Sequence, residues 1–102
     1  MNKFDKQVER NLKGDELEKS CQVDLAIRLY EENIKENFEG NHPYDRLAII
    51  YHKKNLIDDE IKVLEKAIWV LKNIVYKERS DRLPKIERFQ KRLENVKRLN
   101  IK

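Results

Sequence analysis

The chain has 102 residues, of which 41% are charged and 39% hydrophobic, with two Gly, two Pro and one Cys. That length allows one domain with a modest core. Scarce Gly and Pro exclude a strand-rich fold with many tight turns, and a single Cys excludes an internal disulfide. The net charge of +4 is uneven: residues 1–76 carry 13 Lys/Arg against 15 Asp/Glu, and residues 77–102 carry 10 against 4.

The opening segment "MNKFDKQVER" is charged throughout, so no secretory signal is expected. The longest strictly apolar run is five residues, Ala67 to Leu71, too short for a membrane span. With a lone Cys21, these features predict a cytoplasmic protein away from membranes.

The periodicity predicts five helices. The first covers about Phe4 to Ser20, with Phe4, Val8, Leu12 and Leu17 as a sparse apolar set and Gly14 as an internal weakness. The second follows the turn "SCQVD" and runs from about Val23 to Asn37, with Ala26, Ile27, Tyr30 and Ile34 at helical steps. The segment "FEGNHP" is the expected stop, with Gly40 left-handed and Pro43 opening the next helix. The third helix covers about Pro43 to Lys54 and sets Tyr44, Leu47, Ala48 and Tyr51 on one face. Asn55 suits positive φ, and Asp58 suits an N-cap followed by favourable Asp59 and Glu60.

The fourth helix, about Asp59 to Lys77, is the longest. Ile61, Leu64, Ile68, Leu71 and Val75 form a stripe that Val63, Ala67, Val70 and Ile74 widen to about half the circumference. A face that wide contacts more than one neighbour. The fifth helix covers about Pro84 to Leu99 and carries Ile86, Phe89, Leu93 and Val96 as a narrow seam. That seam is short for an independent coiled coil, so its expected use is internal, against the fourth helix.

A shift of 34 residues superposes the apolar patterns. Leu17 meets Tyr51, Gly14 meets Ala48, Ile27 meets Ile61, Tyr30 meets Leu64 and Ile34 meets Ile68. The stretch Tyr44-x2-Leu47-Ala48-x2-Tyr51 matches, by residue class, the tetratricopeptide signature W-x2-L-G-x2-Y, and Ala26-x3-Tyr30 matches A-x3-F. The chain resembles a tetratricopeptide-repeat protein over roughly residues 8–72. It departs from the pattern at Lys13, Asn33 and Glu60. The resemblance implies an all-α fold: a right-handed stack of antiparallel helix hairpins, about two repeats, closed by a C-terminal capping helix. The boundaries expected are about 5–38, 42–77 and 82–100 within a single domain spanning 1–102.

No catalytic constellation stands out. Two glycines cannot form a phosphate loop, and there is no H-E-x-x-H or C-x-x-C. Cys21, His42 and His52 match no metal-ligand spacing. The expectation is a non-enzymatic protein without cofactor or metal.

The resemblance implies a partner groove lined by the first helix of each hairpin. Asn11, Asp15, Glu18 and Lys19 line it in the first copy, and Asp45, Ile49, His52 and Lys53 in the second. Ile49 is either an apolar contact in that groove or packed on the N-terminal helix. Asp15 would repel the C-terminal carboxylate that some family members clamp. A second candidate surface is the polar face of the fourth helix, where Trp69 and Tyr76 stand seven residues apart. They are either covered by the chain itself or open to a partner. The function expected is a protein–protein interaction module, adaptor or scaffold, that is a monomer or weak homodimer and binds a protein or peptide. The alternative is an accessory protein whose basic C-terminal helix binds nucleic acid or another polyanion.

Overall fold

The computed structural model describes residues 2–99, which form α1 (Lys3–Lys19), α2 (Val23–Lys35), α3 (His42–Lys53), α4 (Ile57–Asn73) and α5 (Arg82–Leu99), with no strand among them. Each helix packs on its neighbour in sequence. The assembly is a slab of 45 × 38 × 18 Å. Its thin dimension fits two helix layers, since packed helix axes lie about 8–10 Å apart.

The first three helices end in the same way. Leu17 O accepts from Gln22 N and Glu18 O from Cys21 N, at 2.8 and 3.1 Å. Tyr51 O accepts from Leu56 N and His52 O from Asn55 N, at 2.8 and 3.0 Å. Asn33 O and Ile34 O repeat the pattern with Phe38 N and Asn37 N. These are Schellman closures, in which the residue after the cap turns left-handed. Cys21, Asn37 and Asn55 accordingly have φ of 62°, 58° and 62°. The first and third closures are 34 residues apart, so the period of the sequence reappears as backbone geometry. Gly40 was the expected left-handed residue after α2, but no glycine has positive φ and Asn37 takes that place. Gly40 instead leaves room for a ring: a Cβ there would stand 2.7 Å from Phe38 Cε2.

The sparse apolar set of α1 does not define its buried face. Phe4 and Leu12 are exposed, and the helix buries Gln7, Asn11 and Gly14. A polar face can be buried when it is fully bonded, and Asn33 of α2, itself 0% exposed, supplies the bonds. Its Nδ2 donates to Gln7 O and Asn11 Oδ1, both at 2.8 Å. Arg10 Nη1 donates to Asn33 Oδ1 at 3.0 Å and to Glu36 Oε1 at 2.7 Å. Beside this network the Tyr30 ring lies so close to Gly14 that a Cβ would stand 2.6 Å from Tyr30 Cε1. Gly14 is therefore a point of close helix approach.

The apolar core runs through α2, α3, α4 and α5. Ala26 and Tyr30 meet Tyr44, Leu47, Ala48 and Tyr51, then the stripe of α4, then Ile86, Phe89 and Val96 of α5. The seam of α5 is thus used internally, with Phe89 reaching a small gap lined by Tyr44, Ala67, Val70 and Leu71. Two expectations for α4 need correction. It begins at Ile57 with Leu56 at the N-cap, so Asp58 lies inside the first turn and is not the cap. It ends at Asn73, four residues before the expected Lys77. Arg82 helps to end it, because its Nε donates to Leu71 O at 2.8 Å and satisfies a terminal carbonyl.

Candidate interaction site

Helices α1 and α3 meet at a charged cluster. His42 Nε2 lies 2.7 Å from Asp15 Oδ1, and Arg46 grips Glu18 in a fork, Nη2 to Oε1 at 2.6 Å and Nε to Oε2 at 3.0 Å. Below them the Tyr30 hydroxyl lies 2.6 Å from both Asp15 Oδ1 and Glu18 Oε2. It has one proton and donates to one carboxylate at a time, while the Arg46 guanidinium offsets one of the two negative charges. Burial alone would raise the Asp15 carboxyl, but bonds from Tyr30 and His42 outweigh it and hold the group below the usual carboxylate range. Burial would likewise raise the Glu18 carboxyl, but the Arg46 fork and the Tyr30 bond outweigh it and hold that group below its usual range.

Both shifts predict acid sensitivity with a defined sign. A carboxyl depressed in the fold adds stability above its unfolded value, and that stability is lost as pH falls through the folded value. The window therefore opens below ordinary values of 3.8 for Asp15 and 4.5 for Glu18. Urea midpoints measured from pH 7 down to pH 3 should fall in this range. The double variant Asp15→Asn, Glu18→Gln should show a shallower fall, and equal slopes would show that the cluster contributes nothing.

Asp15 is thus half-buried and committed to internal partners. Asn11, expected on an open groove, is instead 8% exposed and bonded to Asn33. Asp45 accepts a bidentate pair from Arg88 of α5 at 2.9 and 3.1 Å, as well as Asn41 Nδ2 at 2.7 Å. Ile49 is half-buried, and Lys53 is exposed. The His52 ring is exposed, but its Nδ1 lies 3.0 Å from Glu60 Oε1. Glu60 is not a solvated first-turn acid: it is 1% exposed, with Arg92 of α5 at 3.9 Å from its other oxygen. The sequence suggested a favourable first-turn acid at Glu60 and a departure from the repeat pattern there; its burial depends on His52 and Arg92, which come from two other helices.

Within the expected groove Asn11 is buried, and Asp15, Asp45 and His52 have partners inside the chain, while Lys19 and Lys53 are exposed. The other candidate surface is open. Trp69 is 46% exposed and Tyr76 is 76% exposed. They do not share a helix face, because Tyr76 follows the end of α4. Ile74 and Leu83 are also exposed in this region. Lys66 Nζ stands 4.8 Å from the Trp69 ring centroid, a cation–π contact that orients the indole.

The basic charge of α5 is largely occupied. Arg88 binds Asp45, Arg92 faces Glu60, Lys85 pairs with Asp81 at 2.9 Å, and Lys97 approaches Glu65 at 3.7 Å. Arg82 is spent on the carbonyls of α4. Cys21 is free and exposed at the first turn, and no described helix is long and apolar enough to cross a membrane.

The described residues form five helices in an all-α fold with neighbour-to-neighbour packing, and Trp69 and Tyr76 lie open on its surface. No family model, curated protein or solved structure matches the chain.

Proposed function

We propose that this protein is a small, non-enzymatic, cytoplasmic interaction module, a tetratricopeptide-like stack of two hairpins capped by α5, that binds a protein partner. The 34-residue recurrence of the closures at Cys21 and Asn55 supports the stack. So do the contacts that link first helices across hairpins, the Asp15–His42 hydrogen bond and the Glu18–Arg46 ion pair, and the Asp45–Arg88 ion pair that continues to the cap.

The observation that carries the binding function is the exposure of Trp69 and Tyr76 on a chain whose own cap leaves them uncovered. Trp and Tyr are enriched among contact hot spots, where truncation costs 2 kcal/mol or more, about thirtyfold in affinity. Occupation of the α5 cations by Asp45, Glu60, Asp81 and Glu65 favours this reading over polyanion binding by that helix.

The test is affinity capture from a lysate of the source cells with wild type and Trp69→Ala side by side. A specific partner retained by wild type and lost from the variant is the expected result. A partner retained equally by both would remove this surface from the function.

A further inference from the structure

We infer that the outer ridge of α4 binds an extended acidic segment of a partner protein that carries one apolar residue. This rests on the reading of Trp69 as part of an interaction surface and adds the chemistry of what it binds.

The ridge is formed by Lys62, Lys66, Trp69 and Lys72, at successive steps of four, three and three residues. At 100° per residue Lys62, Lys66 and Trp69 fall within about 60° of arc, with Lys72 on the flank. Their charges are available. Among the described residues no acid pairs with Lys62, Lys66 or Lys72, and Lys77 beyond the helix end is also without one. Glu65 is the acid within the ridge, and Lys97 of α5 draws it away at 3.7 Å. A helix face with unpaired cations around an exposed indole is complementary to negative charge beside an apolar group.

Length selects the class of anion. Asp58 and Asp59 stand at the start of α4, and Glu78 follows Tyr76. The positive run from Lys62 to Lys72 is about 15 Å long at 1.5 Å per residue. That is about five residues of extended chain at 3.3 Å each. A nucleic acid strand or an anionic bilayer extends past both ends and meets those acids; a short peptide does not. Spacing matches as well. Lys62 and Lys66 are about 6 Å apart along the axis, close to the roughly 6.6 Å between alternate side chains of an extended segment. Two acids separated by one residue can address both lysines, and the next residue on that face falls near Trp69.

Trp69 is the only tryptophan, so its fluorescence reports the site directly. The probe is a synthetic peptide, acetyl-Glu-Ser-Glu-Ser-Leu-Ser-amide, titrated at low and high salt. The expected result is a saturable change in emission, weakened by salt. Replacing both Glu of the peptide by Gln should weaken it at least about tenfold, as should Lys62→Glu or Lys66→Glu in the protein. Oligothymidine and phosphatidylserine vesicles are run beside it. No response to the peptide, an equal response to the Gln peptide, or stronger binding of the oligonucleotide or vesicles would each overturn the inference. Failure here, with a captured partner still lost from Trp69→Ala, would remove the acidic class alone and leave the interaction surface standing.

Discussion

Gly14→Leu is expected to cost about 3 kcal/mol, the upper end of what overpacking a close contact costs. The reason is local. Even a Cβ would stand 2.6 Å from Tyr30 Cε1 and 2.7 Å from Cζ, well inside van der Waals contact. A ring edge can often swing aside, but this one cannot. Tyr30 is 0% exposed, and its hydroxyl is held against Asp15 and Glu18. Relief must come from moving α1 away from α2, which strains the bonds from Asn33 to Gln7 and Asn11. The gain of about 1 kcal/mol from removing a helical glycine is too small to compensate. In a domain of this size 3 kcal/mol lowers Tm by about 12–24 °C. Lys13→Leu, one residue away on the exposed side, should stay within about 0.5 kcal/mol. Ala48→Leu, at the equivalent position 34 residues on, should cost about 1–3 kcal/mol, since Ala48 is 0% exposed. A thermal melt in which Gly14→Leu matches wild type would refute the close approach.

This contact also marks where the sequence was and was not readable. The apolar stripe of α4 announced a core helix because its burial is driven by hydrophobic surface, which periodicity records. The face α1 buries is glycine and amides, and periodicity cannot see it. Gln7 and Asn11 can be buried because partners 22 and more residues away bond them: Asn33 donates to Gln7 O and Asn11 Oδ1, and Glu36 accepts from Gln7 Nε2. Such a partnership is tertiary, and single-residue chemistry points the other way. The same holds for Glu60, whose carboxylate is inside because His52 and Arg92 reach it from two other helices. Gly40 and Asn37 were exchanged for a related reason: both residue types accept a left-handed turn, and the helix register decides which one is needed. At the candidate site, Trp69 and Tyr76 were legible as unusual aromatics among charges. That Tyr76 leaves the helix was not, because the stop depends on Arg82 reaching back to Leu71 O.

The largest single loss is expected at Phe89→Ala, about 3–5 kcal/mol. Phe89 is 1% exposed and closes the gap between Tyr44 of α3 and Ala67, Val70 and Leu71 of α4. Leu93 is only half-buried, so Ile86 and Val96 are left as the buried apolar anchors of α5. Ion pairs such as Arg88–Asp45, with the arginine side chain 47% exposed, add little in water. How the loss spreads distinguishes two architectures. In a stack, stability is a sum of units and the interfaces between nearest neighbours. Helix α1 packs on α2, far in sequence and contact from α5, so removing the anchor of α5 should open α5 and the outer turns of α4 first. Hydrogen exchange of Phe89→Ala should then show protection lost across Arg82–Leu99, falling partly in α4, and kept close to wild type in the α1–α2 hairpin. Were protection to fall equally in α1 and α5, the five helices would unfold as one cooperative unit, and the stacked-hairpin reading would lose its energetic basis.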